Sequence, residues 1–189
     1  MARKVLYQTV KDKGNPQEII TDGPIHCITD DAWLGHGYYF WDTFEKLGHW
    51  WGEEKLKQDY MVWKAICDFD SDKCFDLYGE PEHIALFSSL VEVMIKEGID
   101  EIDNITVPEA LYYMRDVVGV LSHYHATRAM GALSIAGRNI KYTCRMPFEL
   151  EGKPFLDLLP PIQICIYNLT AMKFTNHHVI YPEKYKNAV

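Results

Sequence analysis

The run Trp33-Leu34-Gly35-His36-Gly37-Tyr38-Tyr39-Phe40-Trp41-Asp42 holds residue types that small-molecule chemistry often uses. Gly35 and Gly37 flank one residue, and backbone without Cβ atoms lets a ligand come close. Tyr38, Tyr39 and Phe40 follow at once, and a ring there can stack on a planar heterocycle. His36, between the glycines, either touches a ligand phosphate or ribose or faces water. The plainer reading is a tight turn entering an aromatic core strand. A Gly-x-Gly pair alone does not choose between the two.

A second candidate lies late in the chain. Ile162, Ile164 and Ile166 alternate with Gln163, Cys165 and Tyr167, the period of a strand with two distinct faces. The isoleucines suit a core face, and Gln163 on the other face can point into a cleft. Cys165 shares that face and reads as a packed free thiol. His123 and His125 are two apart, whereas metal-binding pairs on a helix want three or four, so no metal site is expected. His123 and Arg128, on a predicted helix, either reach a pyrophosphate, which Arg grips bidentately, or pair on the surface. His177-His178 reads as a solvated loop.

The elements that must position these groups follow from periodicity and punctuation. Lys4 to Val10 reads as a first strand, and Gly14-Asn15-Pro16 as a turn. Glu18 to Ile25 is a short helix or an extended piece, broken at Gly23-Pro24. Asp42 is placed to cap a helix, with Glu45 in capping-box position and the helix running to about Lys57. Tyr60 to Phe69 reads as a buried strand and Ser71 to Gly79 as a loop. Pro81 and Gly98 bracket a helix with apolar residues at helical spacing. Thr106-Val107-Pro108-Glu109 is a capping box opening another, which Leu111, Met114, Val118 and Leu121 continue. Tyr124 to Ala136 is predicted helical. Asn139 to Met146 and Ile162 to Asn168 are predicted strands, with Ala171 to Asn176 a hairpin partner or continuation of the second. Strands flanking a helical middle make an α+β fold, and residues 1–189 read as one domain.

Composition narrows the function classes. The 189 residues carry 48% hydrophobic and 24% charged residues, the balance of a soluble globular domain. Aromatics reach 13%, with all five tryptophans in the first third. A net charge of -8 argues against bulk binding to nucleic acid. Five irregularly spaced cysteines without a Cys-x-x-Cys support neither a disulfide framework nor zinc. No apolar run has the length of a signal peptide core or a membrane span. The expectation is a reduced, cytoplasmic protein.

Three segments, taken in order, resemble the poly(ADP-ribose) polymerase and diphtheria-toxin-like branch of the ADP-ribosyltransferases. They are Leu6-Tyr7-Gln8-Thr9, Gly35 to Asp42, and Ile162 to Asn168. That family carries a His in its first strand, a Gly-x-Gly-x-Tyr-Phe-x-Asp segment, and a late strand with the catalytic Glu. The resemblance implies a split β-sheet core, with the helical middle at about 80–137 as an elaboration. It implies NAD as substrate, with Tyr39 stacking on nicotinamide and the stretch Gly35, His36, Gly37, Tyr38, Tyr39 and Phe40 around the pocket. Gln8 falls where the family has His, and with Thr9 it would hold the ribose and amide. Gln163 falls where the family has Glu. An amide can replace the hydrogen bonds of His, but a neutral Gln does not supply the charge of Glu. Glu149 and Glu151, in the loop region before the late strand, are the candidates for a carboxylate that takes over that charge.

The resemblance implies NAD-dependent transfer of ADP-ribose to a macromolecular or small-molecule acceptor, in a toxin-like or phage-defence setting. The alternative is a non-catalytic module that binds NAD, ADP-ribose or a protein on the same fold. RNA 2′-phosphotransfer, a third use of such a fold, wants a basic face that this acidic chain lacks.

Overall fold

A computed structural model describes residues 2–99, 104–131, 145–150 and 154–186. Among these residues the architecture is α+β: a mixed eight-stranded sheet with four α-helices. Strand β1 (Ala2–Lys11) runs into helix α1 (Pro16–Asp22) and the two-residue strand β2 (His26–Cys27). Next come β3 (Gly37–Asp42), α2 (Glu45–Trp51) and β4 (Tyr60–Phe69). After β5 (Cys74–Asp76), helices α3 (Pro81–Lys96) and α4 (Val107–Tyr112) form the middle. Strand β6 (Ala126–Ala129) returns the chain to the sheet. Strands β7 (Arg145–Pro147) and β8 (Phe155–Asp157) form a separate hairpin, and β9 (Gln163–Ile166) and β10 (Phe174–Tyr181) complete the main sheet.

The strand order is β10-β4-β1-β3-β9-β6-β5, with β2 added alongside β3. β1 pairs with β4 over its full length, from Ala2 opposite Phe69 to Lys11 opposite Tyr60. With β3 it pairs only at Leu6–Asp42 and Tyr7–Trp41. Beyond Tyr7, β1 and β3 have no paired residues, so the sheet opens between them from Gln8 onward.

Packing accounts for the covered faces. Leu47 and Trp50 of α2 bury against Tyr7, Trp41 and Val62. Met94 of α3 and Leu111 of α4, with Met114, cover Phe75 and Cys165. Ile19 of α1 meets Val10, Met61, Trp63 and Val179. In β9, Ile164 and Ile166 join Leu6 and Phe40 in one cluster while Cys165 joins another. Alternation therefore sets the faces of β9 as its pattern predicts, and all four of its residues are buried.

Several expectations are corrected. Asp42 caps no helix: it ends β3, the N-cap of α2 is Phe44 with no side-chain bond, and the turn after Trp51 is π-helical over Gly52–Leu56. The stretch Ser71 to Gly79 is not all loop, since β5 lies within it. The predicted helix from Tyr124 is a strand over Ala126–Ala129, parallel to β5 and antiparallel to β9. Burial of all four β6 residues explains the error, because a strand covered on both faces shows no alternation. Residues 132–136 of that prediction, and 139–144 of the next, lie outside the described residues. β10 is not the hairpin partner of β9; it pairs with β4 at the far edge. The capping box is as predicted: Thr106 Oγ1 accepts from the Glu109 amide, and the Thr106 amide donates to Glu109 Oε2.

Candidate functional site

Where β1 and β3 part, the sheet opens onto a cavity of about 700 Å³, a size ordinary for small-molecule sites. Gln8 from β1, Tyr39 from β3 and Gln163 from β9 all line it. α1 and the segment from Gly23 to Trp33 form one wall, and Trp51 and Leu56 contribute to another. Tyr7, Trp33 and Trp41 add aromatic surface.

Gln8 is buried, with 6% exposure, and its amide is engaged with backbone. Its Oε1 accepts from the Ile25 amide at 2.8 Å. Its Nε2 donates to the Ile25 carbonyl at 3.0 Å and the Tyr39 carbonyl at 3.2 Å. The side chain thus bridges the gap that main-chain pairing leaves, and it fastens the Gly23–Trp33 wall to β3. Thr9 is likewise engaged, donating from Oγ1 to the Gly48 carbonyl at 2.8 Å and tying β1 to α2.

Tyr39 fastens the other end of that wall. Its hydroxyl accepts from the Leu34 amide and donates to the Gly35 carbonyl, both at 2.7 Å. Burial, with Cys165 alongside, raises the phenol pKa far above its ordinary value. The hydroxyl is therefore a donor and not a base at neutral pH.

Gln163 differs from both. It is 7% exposed, lines the cavity, and its amide makes no hydrogen bond among the described residues. The amide is open to the cavity, where a ligand can replace water as its hydrogen-bond partner.

The glycine loop has packing reasons for its glycines. Gly35 sits at φ 81°, a left-handed turn position, with open space where a Cβ would stand. A Cβ on Gly37 would lie 2.4 Å from the Cys165 sulfur and 3.0 Å from the Ile166 carbonyl oxygen, so this residue admits β9 rather than a ligand. Neither glycine lines the cavity, and neither do His36 or Tyr38. His36 is exposed, Tyr38 meets His26 edge-on at 4.8 Å, and Phe40 is a core residue that also borders the cavity.

Glu149 is exposed and does not line the cavity, and Glu151 lies outside the described residues. The described carboxylates that do line it are Glu18, Asp22 and Asp31. Arg128 is not on a helix surface. It is buried on β6, with Nε 2.7 Å from Asp42 Oδ2 and Nη1 2.9 Å from Asp76 Oδ2. Burial pushes the Cys165 thiol up to about 12, so it stays a packed, protonated group. No cluster of metal-binding side chains occurs among the described residues, and no helix there is long and apolar enough to cross a membrane.

Sequence reasoning missed the Gly23–Trp33 wall. Its available signal was an aperiodic stretch holding Ile25 and Ile28, which belong to no amphipathic element. The chain matches no protein-family model, no curated protein and no solved structure.

Proposed function

We propose that the cavity binds NAD and that the protein transfers its ADP-ribose part to an acceptor, releasing nicotinamide. One observation carries this reading: the three segments that resemble the ADP-ribosyltransferases, separated by up to 155 positions between Gln8 and Gln163 (163 minus 8), converge on one cavity. Aromatic surface from Tyr7, Trp33, Tyr39 and Trp41 suits the planar ends of a dinucleotide.

In such a transfer the bond between the nicotinamide nitrogen and the ribose carbon breaks. The electron pair leaves with nicotinamide, which becomes neutral, and positive charge develops on the ribose. The acceptor then attacks that carbon and loses a proton. The free amide of Gln163 is suited to orient the ribose or acceptor through its oxygen and NH2. It carries no charge to stabilise the cation. A missing electrostatic contact of this kind costs about 3 kcal/mol of barrier by the measured cost of losing one oxyanion-hole donor. Asp22, Asp31 and Glu18 bring carboxylates to the cavity from its outer wall.

A second reading is a module that binds NAD or ADP-ribose without cleaving it. The full engagement of Gln8 with Ile25 and Tyr39 favours it, because that amide is already satisfied before a ligand arrives. Incubation with NAD labelled in its adenylate part, together with cell lysate, separates the two. Label on a macromolecule supports transfer. Free nicotinamide without transferred label indicates hydrolysis. Binding of NAD with neither product supports the module.

A further inference from the structure

We infer that Lys11 and Lys13 form a phosphate subsite at the β1 end of the cavity, an inference that rests on the nucleotide reading above. The chain is strongly acidic, with 19 Lys and Arg against 27 Asp and Glu. Many of its described cations face carboxylates: Lys4, Lys73, Arg115, Arg128, Lys184 and Lys186 all do. Lys11 and Lys13 are the only Lys or Arg side chains among the described residues that line the cavity. Both are exposed, and neither side chain has a hydrogen-bond or ion-pair partner among the described residues.

The carboxylate between them in sequence does not compensate them. Asp12 Oδ1 accepts from the Gly14 amide at 2.8 Å and the Tyr185 hydroxyl at 3.2 Å. Its Oδ2 faces Lys184 Nζ at 3.4 Å. Glu18, on the same wall, accepts from the Asn15 side chain. Two ammonium groups therefore stand at this end against one lining carboxylate, Glu18, whose charge the neutral Asn15 amide does not cancel.

The other two lining carboxylates stand farther along. Asp22 closes α1, whose seven residues span about 10 Å. Asp31 lies beyond it on the wall. The lining charges thus differ along α1: Lys11, Lys13 and Glu18 near its start, Asp22 and Asp31 at and beyond its end. Oxidised NAD carries an anionic pyrophosphate between its two nucleosides and a cationic nicotinamide ring, so the lysines suit the first and the carboxylates the second. The Gln163 amide, which lines the same cavity with no hydrogen bond among the described residues, offers a bound ligand a further polar contact. Lysine acts on phosphate as a point charge, which does not require the fixed geometry of a buried Arg.

The experiment compares NAD with nicotinamide riboside, which has the same ring and ribose but no phosphate. Both are titrated against wild type and the double variant Lys11→Gln/Lys13→Gln by calorimetry and thermal shift. The two positions are exposed, so the variant keeps the wild-type melting temperature without ligand. NAD binding weakens roughly tenfold, as charge-assisted contacts to phosphate are lost. Riboside binding is unchanged. Added salt weakens NAD binding in wild type and much less in the variant. Equal NAD affinity in the two proteins, or an equal loss for NAD and riboside, overturns the subsite alone. A wild type that binds neither compound overturns the NAD reading, and the subsite with it.

Discussion

The Gln8 side chain and the Ile25 backbone form a closed pair: Oε1 accepts from the Ile25 amide, and Nε2 donates to the Ile25 carbonyl. This is the pairing two strands would make, supplied by one side chain where β1 and β3 have separated. Gln8→Ala removes both bonds and the one to the Tyr39 carbonyl. The expected loss is about 1–2 kcal/mol, since the partially exposed wall can turn to water. The more specific readout is hydrogen exchange: the Ile25 amide should lose protection more than amides of β4. Uniform loss across the sheet would assign Gln8 a general core role instead.

Gly37 and Cys165 share a second close relationship. Gly37→Ala places a methyl where the Cys165 sulfur lies and costs about 1–3 kcal/mol through overpacking. Cys165→Ala in the same chain vacates the sulfur position, so the double variant should be more stable than the sum of the two losses predicts. Additive losses in urea melts would place the strain at the Ile166 carbonyl, the next atom in line.

Asp42 sits 2% exposed at its side chain, between Lys4 Nζ at 3.0 Å and Arg128 Nε at 2.7 Å. Burial works to raise its pKa, but the hydrogen bonds and charges of Lys4 and Arg128 outweigh it and hold the carboxyl below its ordinary value. A lowered native pKa contributes stability that is fully present above the unfolded value, about 3.9, and is lost as pH falls through the native value. Asp42→Asn should cost about 3 kcal/mol at pH 7, because it takes a charged partner from buried Arg128 and half-buried Lys4. That gap should narrow below about pH 4, where the unfolded carboxyl protonates first, and close as pH falls through the lower native value. Urea midpoints at pH 7 and pH 3 test it, and a gap that does not change with pH would count against the ionised pair.

What the sequence reveals of this fold tracks how local each determinant is. The Thr106–Glu109 box is legible because its two partners are three residues apart. The helix from Pro81 and the strand Tyr60–Phe69 are legible from unbroken apolar patterns. Asp42 is misread because its sequence neighbours look like a cap, while the residue that uses it, Arg128, is 86 positions away. Ala126–Ala129 is misread because a short strand buried on both faces carries no period. At the site, Gln8, Tyr39 and Gln163 can be picked out by motif order. Their hydrogen bonding cannot, since whether an amide is engaged or free depends on which distant backbone reaches it.

Gln163 is the residue at which transfer and simple binding part most clearly. Its amide lines the cavity with no hydrogen bond among the described residues, next to Trp41 across the β3–β9 ladder. If the protein cleaves NAD, Gln163→Ala should lower nicotinamide release about tenfold while changing NAD affinity by no more than a few-fold. Gln163→Glu adds a carboxylate at the same place. Burial disfavours its charged form, so its pKa should lie above the ordinary Glu value. Nicotinamide release by this variant should then rise with pH as the carboxylate ionises and stabilises the developing cation. The alanine variant should lack that added pH dependence. Release is followed by chromatography from pH 5 to pH 9, with NAD binding measured alongside. If wild type and Gln163→Glu both bind NAD yet release no nicotinamide above the buffer rate at any pH, cleavage is excluded at this site and the protein is a binding module.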